Sequence, residues 1–472
     1  MSTARSVAKN TFSIAFSNIA AKIIAILIAV YMARYLGVED FGKYNFIITY
    51  LLLFGFIAGF GLDSVVIRDI SKNPTEARRI MSNAVVIRIL TSLVAILLAI
   101  IAIRVLQYPA DMIFYVQLVS AVLLVQGLSY LFESLFQANM KMEYATVSII
   151  VPKVIFAVAI YYLITNNFGL TQILLAYLFS ELTRTIISFM YSQKILKYRL
   201  QIERVTCKDL IRKSLPFVLG YGLFMLYHRF DILMLSMMKG DVAVGLYSAA
   251  YKLTESLLFI PGALAATLMP VMAKQFDRDK DKLNYTYKLG IRYILMLILP
   301  ITIGGAILGD RIISTVYGEE FLNSIVVFKV LTITIIFNSL TSIQTAVLVA
   351  ANKQQLNNIS VSACAVLNII LNLLLIPQYS YAGAAIATLI SVVVLYLFGF
   401  YFVHRIFRMQ PLNLESFKYV LASIAMGIVV VRLETDLVTQ IMAGAIIYVF
   451  FVLLLKGFTR SDLAAMKNLK RR

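Results

Sequence analysis

Long, unbroken apolar runs dominate this chain, and they are separated by short polar connections. Fourteen of them lie near residues 10–33, 44–67, 84–106, 112–138, 145–165, 170–193, 214–238, 242–272, 289–309, 325–351, 356–377, 382–404, 415–433 and 438–456. A helix that crosses a bilayer needs about 20 apolar residues in succession. A membrane β-barrel would instead alternate polar and apolar positions, and these runs do not. The pattern predicts an all-α membrane protein with fourteen transmembrane helices. The first run is longer than the core of a signal peptide, so it is read as a retained span.

Composition supports the same class. The 472 residues are 61% hydrophobic and 14% charged, with a mean hydropathy of +0.86. Soluble domains carry about 25% charged residues. The net charge of +19 invites a nucleic-acid reading, but the placement of the cations argues against it. Fourteen spans put both termini on one side of the membrane. Counting each cation near a span end with the connection it adjoins, that side holds 29 Lys and Arg, the other holds 6, and 8 lie within spans. Such asymmetry marks the cytoplasmic side. Both termini are therefore expected in the cytoplasm, with the chain in the cell membrane and no nucleic-acid partner. The loop SKNPTEARRIMSN reads as a short surface helix capped by Asn73 with Pro74 at its first position. The tail from Ser461 reads as an amphipathic anchor, with Leu463, Met466 and Leu469 on one side. Cys207 and Cys364 match no metal spacing.

Two stretches repeat. GVEDFGKY follows the first span and GDVAVGLY the seventh, and both fit G-x4-G-x-Y at an offset of 203. Arg88 and Arg292 open spans three and nine at an offset of 204, and Ala-Asn closes spans four and ten. Together these matches predict two six-helix lobes related by an internal parallel repeat. They occupy residues 1–200 and 201–410, with two additional helices and a basic tail over 411–472.

Several segments carry a resemblance. RYLGVEDFGKYNF and GLDSVVIRDI near the start, and RFDILMLSMMKGDVAVGLYSAAYKL and LMPVMAK near the middle, resemble polysaccharide-type flippases. These belong to the multidrug/oligosaccharidyl-lipid/polysaccharide exporter superfamily, which includes O-antigen-type and lipid II flippases. The resemblance implies a twelve-helix core of two lobes around a cavity, with two added helices. It also implies flipping of a polyprenyl-pyrophosphate-linked oligosaccharide to the outer leaflet by alternating access. A polysaccharide polymerase or glycosyltransferases are the protein partners so implied, membrane lipids surround the chain, and a monomer is expected.

Ionisable residues at membrane depth are costly and usually face protein or water-filled space. Cations there would screen a pyrophosphate, and Arg can bind phosphate through two hydrogen bonds. The candidates are Lys22, with Asn18 on the same helix face, Arg229, and Lys252 with Glu255. The alternative for Lys22 and Asn18 is an interhelical hydrogen bond, and for Lys252 and Glu255 a fixed i,i+3 ion pair. Arg229 and Asp231 are two residues apart, so they point in different directions and need different partners. Arg88 and Arg292 are candidates too, although snorkelling to the interface is the ordinary explanation. Asp63 and Glu133 read as solvated near span ends or as gate partners, and Glu181 with Arg184 as a local pair. Pro261, Gly55 and Gly59 are candidate hinges.

A second group offers neutral oxygens. Asn368 and Asn372 share a face of span eleven, Thr388 lies in span twelve, and Asp231 adds a carboxylate. This set is similar to a cation site of related flippases, with Asn372 where an acid can stand. It implies sodium as a coupling ion, and a proton carried by Asp231 is the alternative. Helix packing through amide hydrogen bonds is the competing explanation. No other metal and no cofactor is expected. No glycine-rich phosphate loop is present, and no connection carries a catalytic group of carboxylates, so an enzyme is not expected. A multidrug or small-molecule exporter of the same superfamily and a scaffold for polysaccharide assembly are the rival readings.

Overall fold

The computed structural model describes residues 3–199, 201–408 and 414–457, and within them the chain is helical with no strand. The first unit contains α1 (Thr3–Gly59), α2 (Leu62–Lys72), α3 (Ala77–Val105), α4 (Ala110–Val119), α5 (Val122–Ala138), α6 (Met142–Thr165) and α7 (Leu170–Ile195). A long helix, α8 (Arg204–Leu257), follows. Next come α9 (Phe259–Phe276), α10 (Lys280–Tyr317), α11 (Ser324–Ala350), α12 (Gln354–Phe407), α13 (Leu414–Arg432) and α14 (Leu437–Leu454). Packing divides the chain into two compact units, Met1–Ser248 and Ala249–Arg472. The lobes drawn from the sequence repeat follow a different criterion.

Among the described residues, ten helices are long and apolar enough to cross a membrane, counting α4–α5 and α8–α9 as one each. This is a multi-pass membrane protein. The three longest of the ten run for at least twice the roughly 20 residues a span needs. Each of those three contains one residue with non-helical torsions. These are Gly37 (φ 70°, ψ −178°) in α1, Gly240 (φ 77°, ψ −171°) in α8 and Ser380 (φ 51°, ψ −132°) in α12. Gly37 and Gly240 open the two repeated motifs and share one backbone conformation, with a positive φ that glycine adopts without steric cost. Ser380 falls in the connection expected between the runs 356–377 and 382–404, three residues after Pro377.

Other breaks have readable causes. Pro261 lies just beyond the α8–α9 junction at Leu258, as expected of a proline that removes a backbone bond and crowds the preceding turn. Gly59 ends α1, and Phe60 and Gly61 follow with positive φ. The loop from Ser71 to Asn83 is not a separate surface helix. α2 runs to Lys72, one 3-10 turn spans Pro74–Glu76, and α3 continues directly into the third span. Asn73 caps nothing with its side chain, and its backbone N–H bonds back to Asp69 O. The tail helix expected from Ser461 lies outside the described residues.

In the first unit α1 packs on α3, α5 and α6, and α7 packs on α5 and α6. Leu62, Val65, Met81, Ala84 and Leu131 centre one apolar cluster there. In the second unit α11 packs on α9, α10 and α12, while α13 sits against α10 and α14. Tyr287, Ile291, Ile343, Tyr419 and Met426 fill that core.

Candidate functional site

The first unit holds its charged side chains in defined pairs. Arg88 is fully buried. Its guanidinium donates to Asp63 at 2.5 Å and to the Ala58 carbonyl at 3.0 Å. Snorkelling is thus wrong for Arg88. The break after Gly59 places Ala58 in the last turn of α1, where helix carbonyls lack a partner along the helix. Arg88 and the Thr91 hydroxyl satisfy that carbonyl from α3. Gly127 leaves room for the arginine, since a Cβ there would lie 3.1 Å from Arg88 Cδ.

Glu133 is buried as well, not solvated. Arg184 donates to both of its carboxylate oxygens, from Nε and Nη2, at 2.9 Å each. The ring of Tyr130 stacks under that guanidinium at 4.7 Å. The expected Glu181–Arg184 contact exists but is looser, at 3.7 Å. Lys153 and Glu181 stand close enough to act on each other electrostatically. Beyond the Glu181–Arg184 pair, sequence spacing gave no sign that these four groups come together, because Glu133, Lys153 and that pair lie on three different helices, α5, α6 and α7.

Asp231 has a neutral donor rather than a cation as its nearest partner. The Tyr247 hydroxyl donates to Oδ2, and the Ile232 backbone N–H donates to Oδ1 at 2.8 Å. Tyr247 is fully buried and is the tyrosine of the second G-x4-G-x-Y motif. The repeat therefore carries a partner for Asp231 that a search by charge alone misses. Arg229 lies within electrostatic reach of Asp231. Lys22 and Arg229 are half-buried. The side chain of Asn18 lies outside the described residues.

The two repeated turns also touch. A Cβ on Gly42 would fall 1.9 Å from the carbonyl oxygen of Asp241. One on Gly245 would fall 2.1 Å from the carbonyl oxygen of Val38. Offset by 203, Val38 matches Asp241 and Gly42 matches Gly245, so one contact is made twice in reciprocal sense. Only glycine permits so close an approach of two backbones.

The second unit contributes a polar set on α12. Asn372 donates to Asn368 Oδ1 at 2.9 Å, and Asn368 donates to Ser391 Oγ at 3.2 Å. Asn368 and Asn372 are both buried, and the Oδ1 of Asn372 has no hydrogen-bond partner among the described residues. Ser391 was not legible as a member, because only the fold brings the second half of α12 against the first. Thr388 bonds the Ala384 carbonyl of its own helix at 3.0 Å. Lys252 and Glu255 are half-buried near the end of α8. Arg292 bonds the Tyr419 hydroxyl at 2.9 Å and the Gly457 carbonyl at 3.0 Å, tying α10 to α13 and to the end of α14. Arg88 and Arg292 match in sequence but serve different joints.

Each unit also contains a cavity. An apolar cavity of about 740 Å³ in the second unit is lined by Leu253, Pro300, Gly304, Met426, Gly444 and Tyr448 among others. A polar cavity of about 520 Å³ in the first unit lies between α2 and the start of α8. Burial pushes the Asp69 carboxyl there upward, but hydrogen bonds from Arg68 and Lys213 outweigh it and hold it below its usual range. The hydrogen bonds that Lys213 donates to Asp209 and Asp69 raise its ammonium, and those donated by Arg79 and Thr206 lower Glu203. Exposed pairs of this kind are screened by solvent and add little to stability. Among the described residues, no three His, Cys, Asp or Glu side chains group to hold a metal.

Known proteins resemble this chain in sequence and in fold. A model of the family described as polysaccharide biosynthesis protein matches residues 7–276, and a MatE model matches 216–374. The uncharacterized membrane protein MJ1068 of Methanocaldococcus jannaschii is 22% identical over 91% of both chains. The probable low-salt glycan biosynthesis flippase Agl15 of Haloferax volcanii is 26% identical over 35% of each. The fold matches that of the lipid II flippase MurJ in its inward closed conformation, with a TM-score of 0.80 at 16% identity, covering 95% of this chain and 98% of that one. With a family model matching more than half of its length, the chain belongs to the polysaccharide biosynthesis protein family, within the superfamily of multidrug, oligosaccharidyl-lipid and polysaccharide exporters.

Proposed function

We propose that this protein flips a polyprenyl-pyrophosphate-linked oligosaccharide from the cytoplasmic to the outer leaflet by alternating access, and that it is a transporter rather than an enzyme. The observation that carries this reading is a pairing of opposites. Half-buried cations at membrane depth, Lys22 and Arg229 in the first unit and Lys252 in the second, suit a pyrophosphate. The carbon-lined cavity beside α13 and α14 suits an isoprenoid chain. Relatives named as flippases support the substrate class.

The topology proposed is fourteen spans. Splitting α1, α8–α9 and α12 at Gly37, Gly240 and Ser380 adds three to the ten, and α13 adds one more. The matching glycine torsions and the reciprocal glycine contact support an internal parallel repeat of two lobes. Both termini are placed in the cytoplasm of a cell-membrane protein. A cysteine introduced at Arg204 is expected to stay unlabelled from outside intact cells, and external labelling there would reverse the orientation. A polymerase or glycosyltransferase partner and a monomeric state belong to the same proposal.

The test of function is reconstitution of the purified chain in vesicles with a fluorescent lipid-linked oligosaccharide. Flipping is expected with the native chain. Arg229→Ala and Lys22→Ala should each reduce it at least about tenfold while protein level stays near normal, since a lost charge contact of about 1.4 kcal/mol corresponds to that factor. Full flipping by both variants would remove the cationic path. The match of residues 216–374 to the MatE model favours a second reading, a small-molecule exporter. Efflux of a cationic dye with no flipping in the same vesicles would select it.

Coupling to an ion gradient or the membrane potential completes the reading. Sodium is proposed to act through Asp231, Asn368, Asn372 and Thr388, and the unpartnered Oδ1 of Asn372 is an acceptor of the type hard cations use. Asp231→Asn is expected to abolish any dependence of flipping on sodium. Flipping indifferent to sodium but sensitive to pH, with sensitivity lost in Asp231→Asn, would make the coupling ion a proton.

A further inference from the structure

The cluster of Glu133, Arg184, Glu181 and Lys153 in the first unit is not explained as a scaffold. Glu133 is saturated. Its two oxygens take Nε and Nη2 of Arg184, and Ser148 stands 3.4 Å from one of them. That leaves Nη1 of Arg184 for Glu181, but at 3.7 Å the contact is electrostatic and too long for a hydrogen bond. The Oε2 atom of Glu181 is buried with no hydrogen-bond partner among the described residues. Lys153, on α6, forms no ion pair within 4 Å among the described residues, although the charges of Glu181 and Arg184 act on it. Two carboxylates, one guanidinium and one ammonium sum to zero. Of the four, Glu181 has the one carboxylate oxygen that lacks a hydrogen-bond partner among the described residues, although the Gln126 amide also acts on this carboxylate.

An ionised carboxylate oxygen without a donor at membrane depth is expensive. Two events remove that cost. A proton can neutralise the carboxylate, or a ligand can change the charge around it. Once Glu181 is protonated the cluster carries a net positive charge, and Arg184 Nη1 and Lys153 are left with no counter-ion. The side chains of Arg184 and Glu181 each keep 14% of their surface exposed. The other groups facing Glu181 are Gln126, Tyr130 and Glu133 from α5, Tyr177 from its own helix and Tyr44 from α1. None of these is a cation that could replace the missing counter-charge.

We propose that this cluster is a proton-linked anion site, in which Glu181 takes up a proton from water as a phosphate or pyrophosphate oxygen replaces its carboxylate beside Arg184 and Lys153. The proposal rests on the flippase reading for the source of the anion, but its chemistry does not require it. Linkage fixes the sign. The protonated form binds the anion, so affinity falls as pH rises, and bound anion in turn favours the proton by the same factor. Above the pH at which Glu181 ionises, affinity should fall about tenfold per pH unit. Glu133 does not take this role, because Arg184 already satisfies both its oxygens.

Calorimetric titration of the full chain in detergent with inorganic pyrophosphate, in two buffers of different ionisation enthalpy, counts the protons taken up. On the order of one proton per anion is expected at neutral pH. Glu181→Gln should take up none and should bind at alkaline pH as tightly as the native chain does at acidic pH. A second arm uses a polyprenyl pyrophosphate in nanodiscs, and proton uptake confined to that arm assigns the anion to the lipid. Absence of proton uptake by the native chain in both arms overturns the site without reference to any variant. Uptake unchanged in Glu181→Gln overturns it as well. Failure of the flipping assay with an intact proton count would instead fault the functional reading alone.

Discussion

Arg184→Met is expected to destabilise the first unit by about 3–5 kcal/mol, the range found when one partner of a buried ion pair is removed. The loss comes less from the pair than from what remains. Glu133 would keep its charge in the core of α5 with both guanidinium donors gone. Only the Ser148 hydroxyl, at 3.4 Å, would stay near it. Tyr130 would also lose the cation over its ring. Replacing both partners with apolar residues of similar size is often neutral. The double variant Glu133→Leu with Arg184→Met should therefore recover most of the stability that the single variant loses. Thermal aggregation of the purified protein in detergent measures both. If the double variant is no more stable than Arg184→Met alone, the pair is not what holds these helices, and the coupling read from its geometry is wrong.

The glycine pair should give the second large effect, through sterics alone. Gly42→Ala puts a methyl 1.9 Å from the Asp241 carbonyl oxygen, and Gly245→Ala puts one 2.1 Å from that of Val38. Both obstacles are backbone, which cannot rotate away as a side chain can. Overpacking of this kind costs about 1–3 kcal/mol and often more when helices must separate. Gly55 is the control. It lies within α1 with nothing within 4 Å of its added Cβ. There the same substitution should be neutral or stabilise by up to about 1 kcal/mol, through helix propensity. Expression level and thermal stability of the three variants, side by side, decide the matter. Equal behaviour of Gly42→Ala and Gly55→Ala would mean that the two turns do not touch as described. Since the contact occurs in reciprocal copies, Gly42→Ala and Gly245→Ala should also resemble each other.

The sequence by itself determined the class and much of the topology. Apolar runs of span length admit only helices, because backbone groups in lipid must be satisfied within the element. Gly37, Gly240 and Pro261 announced breaks, since their torsional preferences or missing donor act locally. The family could be read from short segments for a related reason: the turns that glycine permits fix residue types at set spacing. Tertiary structure decided the pairing of charges. Arg88 was expected to snorkel to the interface but is fully buried within the protein, because a carbonyl freed by the end of α1 and the carboxylate of Asp63 await it. Glu133 was expected in solvent, yet its partner Arg184 is 51 residues away, beyond any rule based on helical spacing. Asp231 found Tyr247 across a turn, and Asn368 found Ser391 from the other half of a broken helix. Hydrophobic periodicity is a local property, so it can be read along a chain. The cost of a buried charge is settled by whatever the fold brings beside it, and that becomes visible only in three dimensions.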